Sequence, residues 1–338
     1  MESSLRVLVI GGAGYIGSSL VPNLLSHGHT VTVFDALFFG SAPLSSCNEH
    51  ERFTLIQGDI RNDLLLASVM RENFEAVIFL AAVSNHPCCE IDKDLTTEIN
   101  HTATKKVMLL AKQHGVSRFL FASSASVYGV REEASVVESL TLRPITLYAK
   151  YKALGEEYLQ ALASPGFCPV ILRAGTVAGY APRLRLDLTG HILATAAITR
   201  GEVNVWGGSQ VRPHIYIQDL VDLYTKLLTV PEKLVHAKAF NVIAENHSVL
   251  TIAKLVCTVV PDTKIVVSAM RDARSYRLDG TLAMDLLDFR PTGTMAMAVR
   301  ELVHAFKDGR VSDPNSVQYR NIASMQKNAA QWRVNRWA

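Results

Sequence analysis

Tyr148 and Lys152 stand at i and i+4 in Leu147-Tyr148-Ala149-Lys150-Tyr151-Lys152, downstream of a glycine-rich run at residues 11–17. On a helix that spacing puts both side chains on one face. An ammonium beside a phenol favours the phenolate, lowering a pKa of ~10 towards a range useful for proton transfer. The run Gly11-Gly12-Ala13-Gly14-Tyr15-Ile16-Gly17 contains Gly12-x-Gly14-x-x-Gly17 and equally Gly11-x-x-Gly14-x-x-Gly17. Glycine there serves a tight turn, a close approach to pyrophosphate and close helix-to-strand packing. The helix that follows turns unpaired N–H groups and its positive dipole end towards phosphate. Asp35, at the end of the next strand, can accept from both ribose hydroxyls of NAD and would repel the extra phosphate of NADP. A third part is Ser124, in Ala122-Ser123-Ser124-Ala125-Ser126-Val127-Tyr128-Gly129. A hydroxyl at the carboxyl end of a parallel strand faces the ligand crevice and can hold a reacting oxygen. Together these residues can move a hydride and a proton at an alcohol or ketone carbon. Tyr151, with Gly155 at i+4, reads as packing.

These groups need a frame, and the chain supplies alternating elements. Short β-branched runs predict strands at residues 5–10, 30–34, 53–57, 76–80, 118–122 and 170–172. Helical patterns fall between them at 16–27, 62–73, 96–114 and 147–163. Strands alternating with helices imply an α/β fold with a doubly wound parallel sheet of Rossmann type. After Arg173 glycine and proline become frequent and the regularity fades. A helix at 218–228 and a strand at 239–242 read as a return to the sheet. The expected division is a nucleotide-binding domain over 1–174, with a return segment at about 213–244. A smaller α-rich C-terminal substrate lobe takes 175–212 and 245–338.

Composition excludes several classes. Of 338 residues 49% are hydrophobic and 19% charged, which is a globular balance. A net charge of +3 with interspersed signs calls for neither nucleic acid nor membrane partner. The cysteines Cys47, Cys88, Cys89, Cys168 and Cys257 are odd in number and lack framework spacing, favouring a reducing compartment. His86-Pro87-Cys88-Cys89 has no second cluster at ligand spacing, so no metal is expected. No signal sequence precedes the glycine run, and no apolar run approaches ~20 residues. A cytoplasmic protein is expected.

At this point the residues resemble the extended short-chain dehydrogenases, the NAD-dependent epimerase/dehydratase group that acts on nucleotide sugars. The resemblance runs nearly end to end. It covers residues 11–17, Asp35, Gly58-Asp59-Ile60-Arg61, Leu80-Ala81-Ala82, Asn100, residues 123–129, Tyr148 with Lys152, Leu172-Arg173, the stretch 212–219, and Arg274-x-Tyr276-x-x-Asp279. It implies NAD as cofactor, held by Gly11, Gly14, Tyr15, Ile16, Gly17, Asp35, Asp59, Ile60, Leu80, Ala81, Ala82, Asn100, Tyr148 and Lys152. Asp59 and Ile60 would meet adenine, and Leu80–Ala82 the nicotinamide side. Ser124, Tyr148 and Lys152 would be the catalytic set. Ser84, Ser126, Thr176, Arg183, Arg212 and Arg274 would contact substrate, the last two arginines gripping a nucleotide diphosphate.

Two departures narrow the activity. Relatives that dehydrate sugars carry Thr-Asp-Glu where this chain has Ser124-Ala125-Ser126, so the acids of an elimination are missing. Many members also have Asn near the substrate phosphates where this chain has Thr176-Val177-Ala178-Gly179. The expected activity is therefore NAD-dependent nucleotide-sugar epimerisation through a transient keto sugar, at C4. The alternatives are a nucleotide-sugar 4-ketoreductase using NAD(P)H and, in another class, a non-catalytic NAD-binding module. The resemblance also implies a homodimer through helices around 100–114 and 148–163. Val107, Leu110, Leu154 and Leu159 serve equally well as its face or as core.

Overall fold

In Arg6–Ile10 (β1) the side chains alternate between two cores: Val7 and Val9 enter one, Leu8 and Ile10 the other, and all four are fully buried. Period-2 alternation with both faces buried is the mark of a central parallel strand. The computed structural model describes residues 4–269 and 275–334. The further strands are Thr30–Asp35 (β2), Phe53–Gln57 (β3), Ala76–Phe79 (β4), Arg118–Ala122 (β5), Cys168–Ala174 (β6), Thr176–Ala178 (β7), Glu202–Trp206 (β8), Val211–Tyr216 (β9), Lys238–Val242 (β10), Glu245–Ser248 (β11) and Lys264–Ser268 (β12). The helices are Gly17–Ser26 (α1), Asp63–Met70 (α2), His86–Ile91 (α3), Lys93–Thr97 (α4), Thr104–Gln113 (α5), Leu147–Leu162 (α6), Thr189–Arg200 (α7), Ile217–Leu227 (α8), Glu232–Val235 (α9), Val249–Val259 (α10), Thr281–Leu287 (α11), Met295–Lys307 (α12) and Asn321–Val334 (α13).

Seven strands form a parallel sheet in the order β10-β6-β5-β4-β1-β2-β3. The chain winds outward from β1 through β2 and β3, then returns to place β4 on the other side of β1. That reversal opens a crevice at the carboxyl ends of β1 and β4, where doubly wound sheets bind ligands. The doubly wound Rossmann frame is thus present, and β10 joins it from far along the chain, beside β6.

The remaining strands form two small sheets, β11-β9-β7 and β12-β8. Helices α7, α10 and α12 pack on them around Leu193, Val203, Val205, Ile252, Val256 and Leu302. The sequence predicts helices there but not these strands. They are three to six residues long and lie among glycines and prolines, which mask a period-2 pattern.

The helix expected over 96–114 is interrupted. Glu98–Ala103 is a π-helical turn between α4 and α5. Inside it Asn100 is buried and takes both polar groups of Val83: its Oδ1 accepts from Val83 N at 2.8 Å, and its Nδ2 donates to Val83 O at 2.9 Å. Thr104 Oγ1 donates to Ile99 O at 2.9 Å across the widened turn. The extra residue re-aims Asn100 at the loop after β4, the kind of place where π-turns are found. Among the described residues no helix is long and apolar enough to cross a membrane.

Candidate active site and cofactor cleft

The cleft at the β1/β4 crevice is built around backbone that only glycine can supply. Gly11 has φ +85°, and a Cβ there would lie 2.6 Å from Ala81 N. A Cβ on Gly17 would lie 2.4 Å from Gly12 O, so the first turn of α1 sits directly on the loop. Asp35, at the end of β2, braces this loop: its Oδ2 accepts from Ala13 N at 2.9 Å and its Oδ1 from Leu37 N at 2.8 Å. Burial raises its pKa, while these two N–H donors oppose the rise. Tyr15 donates its hydroxyl to Gly179 O at 2.7 Å, and Gly179 N donates to His191 Nε2 at 3.0 Å. The glycine loop is thereby tied to α7, which packs on the small sheets.

Gly11, Gly14, Tyr15, Ile16, Gly17, Asp35, Asp59, Ile60, Leu80, Ala81, Ala82 and Ser84 all line this one cavity; the resemblance assigns all but Ser84 to the cofactor and Ser84 to the substrate. Arg183 lines it too, and so meets the expected cofactor residues. Its N–H donates to Ser18 Oγ at 3.1 Å at the start of α1, and its guanidinium lies 3.7 Å from the Phe39 ring centre. Arg183 and Arg185 are both buried in the cleft, and Arg183 Nε and Arg185 Nη2 make no hydrogen bond among the described residues. Burial, and next the charge of Arg185, push the Arg183 pKa down. An anion in the cleft relieves both.

The residues expected to be catalytic, Ser124, Tyr148 and Lys152, sit on α6 and the loop after β5, next to the cavity and not among the residues that line it. Thr146 caps α6, its side chain accepting from Ala149 N, and so fixes where the helix begins. Tyr148, Lys152 and Glu156 then fall on one face at i, i+4 and i+8. Lys152 is buried; its Nζ donates to Ala122 O at 2.5 Å and lies 5.8 Å from the Tyr148 ring centre. Ser124 is within hydrogen-bonding reach of the Tyr148 phenol and lowers its pKa. Ser126 Oγ donates to Ser124 Oγ at 2.9 Å, which orients that hydroxyl. Burial nevertheless outweighs these effects: it pushes Tyr148 up to about 12 and Lys152 down to about 8. The lowering of the phenol that the sequence predicts is therefore not found: burial is the larger effect, and the Lys152 ammonium donates to the Ala122 carbonyl.

Below this pair lies a buried polar network. Glu156 binds Arg173 of β6 through Arg173 Nη2 at 2.7 Å and Nε at 3.0 Å, and it also accepts from Ser123. Arg173 Nη1 donates to Tyr128 Oη at 2.8 Å, and Tyr128 donates to Asn241 Oδ1 of β10 at 2.7 Å. The serine loop, α6, β6 and β10 are locked together by charge-assisted bonds in which each member is partnered.

Other expected positions lie elsewhere. Asn100 is absent from the cavity lining and acts through Val83. Thr176 pairs with His214 in the small sheet, and Arg212, on β9, donates to Val211 O at 3.0 Å; neither lines the cavity. Arg274 lies outside the described residues. The expected interface positions Val107 and Leu159 are fully buried in the chain's own core. Conversely, Phe38, Phe39, Cys88, Arg185, Asn321 and Trp332 line the cleft although the sequence does not single them out for it. Cys168, Glu232 and His236 bring ligand atoms within 4.8 Å of one another, at the amino-terminal end of β6 away from this cleft.

A glycine loop over a β1/β4 crevice, a Ser–Tyr–Lys constellation beside it and a seven-stranded parallel sheet define a dinucleotide-dependent enzyme of the short-chain dehydrogenase type. Residues 7–242 match the NAD dependent epimerase/dehydratase family, and the chain belongs to that family. Among its relatives is the UDP-glucose 4-epimerase of Lactobacillus helveticus, 30% identical over 314 residues, covering 85% of this chain and 92% of the relative. The UDP-glucose 4-epimerase of Mycolicibacterium smegmatis is 27% identical over 318 residues, covering 90% and 99%. A UDP-glucose 4-epimerase of Thermotoga maritima, solved with UDP-glucose, shares the fold with a TM-score of 0.81 at 24% identity, covering 90% of this chain and 100% of the other. MoeE5, solved with UDP-glucuronic acid and NAD, superposes with a TM-score of 0.78 at 25% identity, covering 90% and 99%.

Proposed function

We propose that the protein is an NAD-dependent nucleotide-sugar 4-epimerase. The carrying observation is Tyr148, Lys152 and Ser124 set beside the glycine-floored cleft, with Ser124-Ala125-Ser126 in place of the acids an elimination needs. The cleft fits the cofactor on its own chemistry: two glycines whose Cβ atoms would collide with backbone, and two buried guanidiniums with unpartnered N–H groups for a diphosphate. Asp59 and Ile60 would face the adenine, and Leu80–Ala82 the nicotinamide. When bound, NAD supplies a hydride acceptor that is also the donor of the return step.

Tyr148 takes the proton from the sugar's C4 hydroxyl as that carbon gives up its hydride. Ser124 donates a hydrogen bond to the reacting oxygen, and Lys152 supplies a positive charge that favours the phenolate. The keto sugar turns over, Tyr148 returns the proton, and the product is the epimer. Arg212 and Arg274 are the proposed contacts to the substrate diphosphate, with Ser84, Ser126, Thr176 and Arg183 as further substrate contacts. The substrate lobe, residues 175–212 and 245–338, holds the nucleotide, and the chain works as a cytoplasmic homodimer.

The test is a panel of UDP-, dTDP-, GDP- and CDP-sugars followed by mass spectrometry and absorbance at 340 nm. Conversion of one sugar to an isomer of equal mass, with no net NADH change, is the expected result. A keto sugar gaining two mass units while NADH or NADPH disappears identifies a reductase and overturns the proposal.

A further inference from the structure

The last described helix lies along the cofactor cleft, and nothing in the proposed chemistry uses it. Helix α13 is 14 residues long, so it spans about 20 Å. Residues at both its ends, Asn321 and Trp332, line the cavity. At the first end Asn321 accepts from Arg183 Nη2 at 2.5 Å and donates to Ser84 Oγ at 2.8 Å. At the other, Trp332 is buried, stacks on Phe38 with ring centres 4.3 Å apart and meets Phe39 edge-on at 5.7 Å. Its carbonyl accepts from Arg61 Nη2 at 2.6 Å, and that same nitrogen holds Asp59 Oδ2 at 2.7 Å. Arg333 binds the buried Asp92 at 2.6 Å. The middle of the helix is anchored by Met325, fully buried in the core below the cleft.

We infer that α13 is a latch on the cofactor cleft: Trp332 walls the end at Asp59 and Ile60, Asn321 fastens the end at Ser84 and Arg183, and the dinucleotide exchanges only when the helix lifts. The inference rests on the NAD reading of the cleft and says how that cofactor is kept. The fastenings of Asn321 and Trp332 are made to residues that line the cleft or to Arg61, which supports Asp59, so opening the cleft breaks the aromatic stack and the ties of Arg61 and Asn321 together. Such retention suits an enzyme whose reduced cofactor must stay until the keto sugar is reduced again. A reductase, which trades its cofactor every turnover, is hindered by the same latch.

The experiment follows loss of radiolabelled NAD from full-length holoprotein during a chase with excess unlabelled NAD. Label bound at time zero confirms the cofactor reading independently of the latch. Trp332→Ala should release label at least tenfold faster than the wild type, and Trp332→Phe, which keeps the stack, should stay within about threefold. Equal release rates from folded wild type and Trp332→Ala overturn the latch. Should Trp332→Ala fail to fold, amide hydrogen exchange of the wild type decides. Exchange over residues 321–334 that slows at least tenfold with NAD supports the latch, and unchanged exchange overturns it.

Discussion

At the scale of single residues, the proton chemistry depends on two buried groups pushed in opposite directions. Tyr148 is pushed up to about 12 and Lys152 down to about 8, both by burial first. Removing the phenolic oxygen in Tyr148→Phe should lower turnover by about 10²–10⁴-fold while bound NAD persists, measured by steady-state rates on holoprotein. Lys152 gives a pH signature with a definite sign. Its proton is held below about pH 8, so kcat/KM should fall above that pH as the ammonium is lost. Between about 8 and the ordinary 10.5 the unfolded chain binds a proton that the folded chain has released, so the contribution of Lys152 to stability rises with pH there, against the falling contribution of the buried thiols and phenols whose pKa values burial raises. Denaturant midpoints followed against pH for the wild type and a Lys152→Met control isolate that contribution and separate deprotonation from unfolding. Tyr148, Lys152, Asp35 and the glycines were legible in the sequence because helix period and backbone sterics are local. Asn321 and Trp332 were not: Asn321 meets Ser84 across 237 residues, and no local pattern reports that.

At the scale of elements, α6, which carries Tyr148 and Lys152, is fixed from beneath by Glu156 and Arg173, side chains almost wholly removed from water. Truncating Glu156 to Ala leaves a buried guanidinium without its partner, which should cost about 3–5 kcal/mol in urea unfolding. Glu156→Gln, which keeps one acceptor, should lose less. The glycine loop is governed by space instead. Gly11→Ala forces a side chain into a left-handed conformation 2.6 Å from Ala81 N. It should cost about 1–3 kcal/mol and abolish NAD retention, read by the cofactor released on denaturation. Both strand–loop–helix units were readable from the sequence, since their apolar runs end in glycine or serine. The π-turn at Glu98–Ala103 was not, because its cause is the demand of Val83 for a buried partner, which only the folded loop reveals.

At the scale of the whole molecule, the doubly wound parallel character of the large sheet followed from alternation of strand and helix, whereas the small sheets depend on pairings such as β8 with β12 that join distant segments. The outward side of α5 bears on assembly. With Val107 and Leu159 committed to the core, Leu109 is the large apolar side chain of α5 left exposed, at 39%. Sedimentation should return twice the chain mass of 37.1 kDa, and Leu109→Arg should shift the population towards the single chain.

The position of β10 has a consequence for how the molecule is made. The strand closes one edge of the central sheet and brings Asn241, the partner of Tyr128, yet it is synthesised after more than two-thirds of the chain. Until residue 242 has left the ribosome, β6 is an open edge, and the polar chain from Glu156 to Tyr128 lacks its last acceptor. A nascent chain halted near residue 200 thus presents a hydrophobic strand edge of the sort that pairs with other chains. The central sheet is thus finished only by a late segment of the chain, and β6 stays unpaired on that side until β10 arrives.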